Sequence, residues 1–157
     1  MKPVVYIHEV DRQRVDHKTS IWVMGKTLRM LDFAHSYGVA LCLVNTENLL
    51  IELENHFALL FDWPMAKIFP PREVPAEMQR KDSMQAAETV ITLLGGDLET
   101  GVIPDDGVKG FDRYVDHLLH LAREGERSSR KAHRQFYEFV DEIWERKFQP
   151  WKTYPLD

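Results

Sequence analysis

The sequence predicts a mainly α-helical domain, with about five amphipathic helices in a compact bundle behind a short N-terminal strand or arm. Three observations carry this. Apolar residues recur at helical spacing in five stretches. Caps and breakers bound those stretches. Apolar residues make up 44% of the chain and aromatics 11%, enough for a core and too many for a disordered segment.

VVYIHEV (4–10) reads as a short strand or an extended arm, followed by the polar run DRQRVDHKTS. The first helix begins near Thr19 or Ser20, which suit an N-cap, and buries Ile21, Met24, Leu28 and Leu31 up to a stop at Gly38. VALCLV (39–44) fits a strand or a buried helical link equally. Asn45 or Thr46 then caps a second helix with Leu49, Leu53, Phe57 and Leu60 inward. The segment 62–75, DWPMAKIFPPREVP, carries four prolines and reads as an extended connector lying over the core or a partner. A third helix over 76–94 turns Met84, Ala87, Ile91 and Leu94 inward, and Gly95-Gly96 ends it. A fourth over 111–123 does the same with Phe111, Tyr114, Leu118 and Leu121. A fifth over 128–148 buries Ala132, Phe136, Phe139 and Ile143 until Pro150 closes it. The chain 1–157 is thus one domain, with front helices in 20–61, a connector over 62–75, rear helices in 76–148 and an aromatic tail over 149–157.

Composition excludes several functions. Lys and Arg total 20 against 25 Asp and Glu, a formal charge of −5 that disfavours a general nucleic-acid binder. No apolar run approaches the roughly 18 residues of a membrane span, and the first residues lack a secretory core. The one cysteine, Cys42, allows no internal disulfide and fits a reducing, cytoplasmic setting.

The chemistry-bearing residues form no complete catalytic set. His117 and His120, three apart on a helix, are the only candidates for a shared metal, and no HExxH, CxxC or ExxH pattern completes them. His8, His17, His35 and His56 stand isolated, and Cys42 reads as a small buried hydrophobe. Glu47, Glu52, Glu54, Asp97, Glu99, Asp105 and Asp106 lack the ExxE and EF-hand spacings and read as turn-forming, solubilising acids. There is no GxGxxG, Walker loop or GxSxG, and no cofactor is expected.

Two resemblances remain. Arg127 and His133, in ERSSRKAHRQFYEF, resemble the R-x5-H motif of the HEPN ribonucleases, whose Arg and His act together on an RNA phosphodiester. Ser128 departs from that family's pattern. Arg127, Arg130, Lys131 and Arg134 would be the one stretch suited to a phosphate backbone. IWVMGKTLRMLDFAHSYG (21–38) resembles the N-terminal helical domain of the nitrile hydratase and thiocyanate hydrolase β subunit. Trp22, Gly25, Lys26, Thr27, Leu28, Leu31, Phe33, His35 and Gly38 follow its order, with one extra residue after Trp22. MQAAETVI (84–91) and GVIP (101–104) are similar to later parts of that domain. Where the family carries a Tyr-Tyr pair and a Trp, this chain has Arg80, Lys81 and Asp82. The resemblance implies a subunit whose metal-binding cysteines sit on a partner.

The leading expectation is a small non-catalytic helical subunit or accessory protein that binds a larger enzyme of nitrile hydratase type. Its interface would use Trp63, Ile68, Phe69, Trp144, Phe148, Trp151 and Tyr154. A HEPN-like ribonuclease and an inhibitory, immunity-type binding protein are the alternatives.

Overall fold

A computed structural model describes residues 1–147 and 150–156. The fold is helix-rich with small antiparallel sheets. It opens with strand β1 (Lys2–Pro3), a single π-helical turn over Tyr6–Val10, and strand β2 (Gln13–Val15). Residues 4–10, expected as a short strand or an extended arm, thus hold the helical turn, and short strands flank it.

Helix α1 (His17–Ser36) starts earlier than Thr19, because the Asp16 carboxylate accepts the Thr19 N–H at 2.8 Å and so caps the helix. Ile21, Met24, Leu28 and Leu31 all lie in the core. Gly38 takes φ 84°, and strand β3 (Val39–Ala40) follows. A Cβ at Gly38 would run into the Phe69 carbonyl of the connector, whose N–H donates to Gly38 O at 2.7 Å.

The expected second helix does not form. Strands β4 (Leu49–Glu52) and β5 (Phe57–Leu60) stand there as an antiparallel hairpin, paired Leu49 with Leu60 through Glu52 with Phe57. Asn45 accepts the Glu47 and Asn48 N–H groups, and Leu49 N–H reaches Asn45 O, which makes one helical turn that is not continued. The side-chain cap is real; it closes a turn. Glu52 then accepts the Glu54 and Asn55 N–H groups, and His56 takes a positive φ, so the chain reverses within four residues. The sheet order is β1-β4-β5, which leaves β5 at an edge.

The connector is tied down by strand β6 (Lys67–Ile68), which pairs with β3, and by the buried Val74. Helix α2 (Ala76–Leu93) and helix α3 (Phe111–Glu124) match their expected spans. Helix α4 (Ser129–Ile143) begins at the Ser128 cap but ends short of Pro150, because Trp144 turns extended and donates its indole N–H to Lys109 O. Strand β7 (Thr153–Pro155) pairs antiparallel with β2, so the aromatic tail contributes a strand to a sheet. Helix α1 packs on α2 and α4, and α2 packs on α3. At the α1–α4 crossing Gly25 leaves room for the Tyr137 ring, which a Cβ would strike. One hydrophobic core draws on all four α-helices and on β4.

Candidate functional site

The apolar stripe of α1 faces the core, and the opposite side of that helix is apolar as well. Phe33 and Tyr37, one turn apart, are 65% and 64% exposed, with ring centroids 4.8 Å apart. Met30 continues the strip towards the helix start. The β4–β5 hairpin supplies the other wall, because alternation along the edge strand turns Phe57 and Leu59 outward while Leu60 goes inward. Trp63, at the start of the connector, closes one end. The resulting open groove holds about 570 Å³. Lys26 and Arg29 are its charged lining, so a chain of net charge −5 presents a basic rim here. Met65 and Ile68, the latter 75% exposed, extend the apolar surface along the connector. The groove therefore combines exposed apolar side chains, two cations and the edge strand β5.

The residues expected at an interface divide. Trp63 and Ile68 are exposed on or near this groove, and Phe69 is half-buried beside it. Trp144 instead packs on His17 and Tyr114. Trp151 is 6% exposed and stacks on His56, and Tyr154 lies on β7 under the Arg14 guanidinium. These three hold the C-terminal segment to the body of the protein. Phe148 lies outside the described residues. Phe57, expected to point inward from a helix, is instead exposed on β5, and Phe33 and Tyr37 were not among the expected interface residues; periodicity fixes a helix's inward face and leaves an apolar second face unmarked.

Arg127 and His133 meet different neighbours. Arg127 precedes the Ser128 cap, outside α4, and acts on Glu77 of α2. His133 sits inside α4 against Tyr137, with Asp32 and Arg29 of α1 near it. Burial holds its imidazole below the usual value; Asp32 opposes that and Arg29 adds to it. Arg130, Lys131 and Arg134 face Asp32, Glu126 and Glu138, so their charges are already opposed by carboxylates.

His117 lies flat on the Phe139 ring at 4.5 Å, while His120 is exposed. Among the described residues, no three His, Cys, Asp or Glu side chains group to hold a metal. Burial, then the Asp82 carboxylate, push the Cys42 thiol up, away from the reactive thiolate.

Two histidines read as isolated are each half of a buried pair. His35 Nε2 lies 2.8 Å from Asp82 Oδ2, and Asp82 also accepts the Leu41 and Cys42 N–H groups. His17 Nδ1 lies 3.0 Å from Asp106 Oδ2, and Asp106 also accepts the His17 N–H and the Arg14 guanidinium. Burial raises the Asp106 carboxyl, but these donors outweigh it and hold the group at about 2. Both pairs join residues remote in sequence, so no local spacing announces them.

No protein-family model and no curated protein matches this chain. Among the described residues no helix is long and apolar enough to cross a membrane.

Proposed function

We propose that this chain is a small non-catalytic accessory module, built on a helical bundle, that binds a larger protein through the groove between α1 and β5. The supporting observation is the pair Phe33 and Tyr37, exposed on α1 in the groove that β5 also lines, with Lys26 and Arg29 earlier on the same helix. Aromatic side chains left in water beside an open strand edge are hazards to a solitary protein and anchors for a bound one. The basic rim selects the occupant: a partner segment that interleaves apolar residues with Asp and Glu. A second copy docked through the same groove would bring two basic rims, and no added acid, into one interface.

The likeness of 21–38 to the nitrile hydratase β subunit makes an enzyme chain with a Cys-rich metal loop the first partner to test. In that reading this chain contributes packing, and the chemistry stays with the partner. The setting is a reducing, cytoplasmic one.

A random peptide library selected on the immobilised protein tests this. Enriched segments are expected to alternate apolar and acidic residues, and the double variant Phe33→Ser, Tyr37→Ser is expected to retain none. From the native source, the wild type should retain a larger polypeptide that carries such a segment. Enrichment without acidic residues, binding unaffected by the double variant, or a wild type that sediments as a dimer overturns the reading. The nuclease alternative makes the opposite forecast, RNA cleavage lost in His133→Ala.

A further inference from the structure

On another side of the protein, α1, α2, the start of α4 and the proline connector enclose a small polar cleft of about 230 Å³. His35, Asp32, Arg72, Gln79, Ser129 and Arg130 line it. His35 is the informative residue. It is 3% exposed, and its Nε2 is engaged by Asp82. That contact commits Nε2 to the Asp82 carboxylate, as its donor. Nδ1 is buried and has no hydrogen-bond partner among the described residues. It is the remaining ring nitrogen of a side chain that lines the cleft. A buried ring nitrogen left unsatisfied is costly, and at a cleft it marks a place where a ligand completes the set.

The surroundings specify that ligand. Arg72 and Arg130 are the cations among its lining residues. Ser128, Ser129 and Arg130 at the start of the 15-residue α4 line it too; the Ser129 and Lys131 N–H groups already donate to Gln79 and Ser128, so this end offers the Arg130 N–H and the positive end of the helix dipole. Asp32 is the opposing charge, 3.8 Å from Arg130 Nε and too far for a hydrogen bond. We propose that this cleft binds a phosphate-type tetrahedral dianion between Arg72, Arg130 and the N-terminal turn of α4, with the His35 ring protonated on Nδ1 to donate to it. The ring takes that proton from solvent, keeps Nε2–H on Asp82, and no bond in the anion breaks. The charged or titratable groups around the ring and the cleft are Asp82 from α2, Asp32 from α1, Arg72 from the connector, Arg130 from α4, and Cys42 after β3, whose N–H donates to Asp82.

Arg72 supplies a variant that cannot fail by unfolding. The Glu73 N–H donates to Pro70 O at 3.0 Å, and Arg72 takes φ 67° at the third position of that turn, where glycine is preferred. Arg72→Gly therefore relaxes the backbone while it removes the cation, and its thermal midpoint should rise.

The experiment is calorimetric titration of the intact protein with inorganic phosphate, alongside sulfate and acetate, with imidazole nitrogen NMR of His35. Wild type should bind one phosphate or one sulfate per chain and take up a proton with sulfate, whose own charge is constant. The His35 Nδ1 resonance should move to its protonated position at saturation. Arg72→Gly and Arg130→Ala should each weaken binding about tenfold, the loss of one charge-assisted contact. Asp32→Asn should strengthen it several-fold by releasing Arg130. Unchanged affinity in the two arginine variants, an unmoved His35 resonance, acetate bound as tightly as phosphate, or no saturable binding each overturns the proposal. The α1–β5 groove lies elsewhere, so either reading can fail alone.

Discussion

Asp82 of α2 accepts three hydrogen bonds while fully buried, and one of them, at 2.8 Å, comes from the His35 ring of α1. The same carboxylate thus fixes the α1–α2 contact and the first residues after β3. Asp82→Ala would leave the Leu41 and Cys42 N–H groups and the His35 ring without their acceptor. The expected loss is roughly 3–5 kcal/mol, the scale of removing one member of a buried pair, and urea unfolding would measure it. A loss below about 1 kcal/mol would mean that water replaces the carboxylate.

Asp106 makes stability depend on acid pH. Its folded value of about 2 lies below the ordinary carboxylate value of 3.8. A depressed carboxylate contributes stability that is fully present above the unfolded value and is lost as pH falls through the folded one. The window is therefore pH 4 down to 2, and the contribution is roughly 2 kcal/mol. Thermal midpoints recorded across that window should fall steeply for the wild type and less steeply for Asp106→Asn.

Gly25 and Tyr137 should be coupled. Gly25→Ala places a methyl group against the Tyr137 ring and should cost roughly 1–3 kcal/mol, the range for overpacking. Tyr137→Ala in the same chain should relieve most of that cost. A double-mutant cycle with additive effects would show that α4 simply moves aside.

The groove predicts a separation of binding from stability. Phe33→Ser and Tyr37→Ser lie on an exposed face and should change stability by less than about 0.5 kcal/mol. Both should reduce the fluorescence of bound anilinonaphthalene sulfonate, an apolar anion suited to the Lys26–Arg29 rim. Raising ionic strength should weaken that binding, and Lys26→Ala with Arg29→Ala should remove the salt dependence.

The sequence carried the long helices well, because Ile21, Met24, Leu28 and Leu31, or Phe111, Tyr114, Leu118 and Leu121, satisfy one period only and all are buried. It misled at 46–61, where two periods overlap. Leu49, Leu53 and Phe57 repeat every four residues, yet Leu49 and Ile51 are buried while Leu50 and Glu52 between them are half-buried, which is the strand alternation. The turn at Asn55-His56 was the local sign that a helix does not continue. Tail aromatics such as Trp151 looked like interface anchors because a side chain's coverage by a remote ring, here His56, leaves no trace in its neighbours along the chain. The polar cleft was invisible for the same reason: His35 and Asp82 stand 47 positions apart.

The pairing of β2 with β7 sets an order on biosynthesis. Residues 13–15 leave the ribosome early, and their partners 153–155 leave only after every helix has been made. Until then the β2 edge is open and Thr19, which later receives the Lys152 N–H, waits without that contact. Closing so long a loop is entropically the hardest contact in the chain, so it forms on a body that is already folded. A released chain truncated before Thr153 should therefore hold α1 to α4 packed while exposing the β2 strand edge, and that edge should be covered in a chain that includes Pro155.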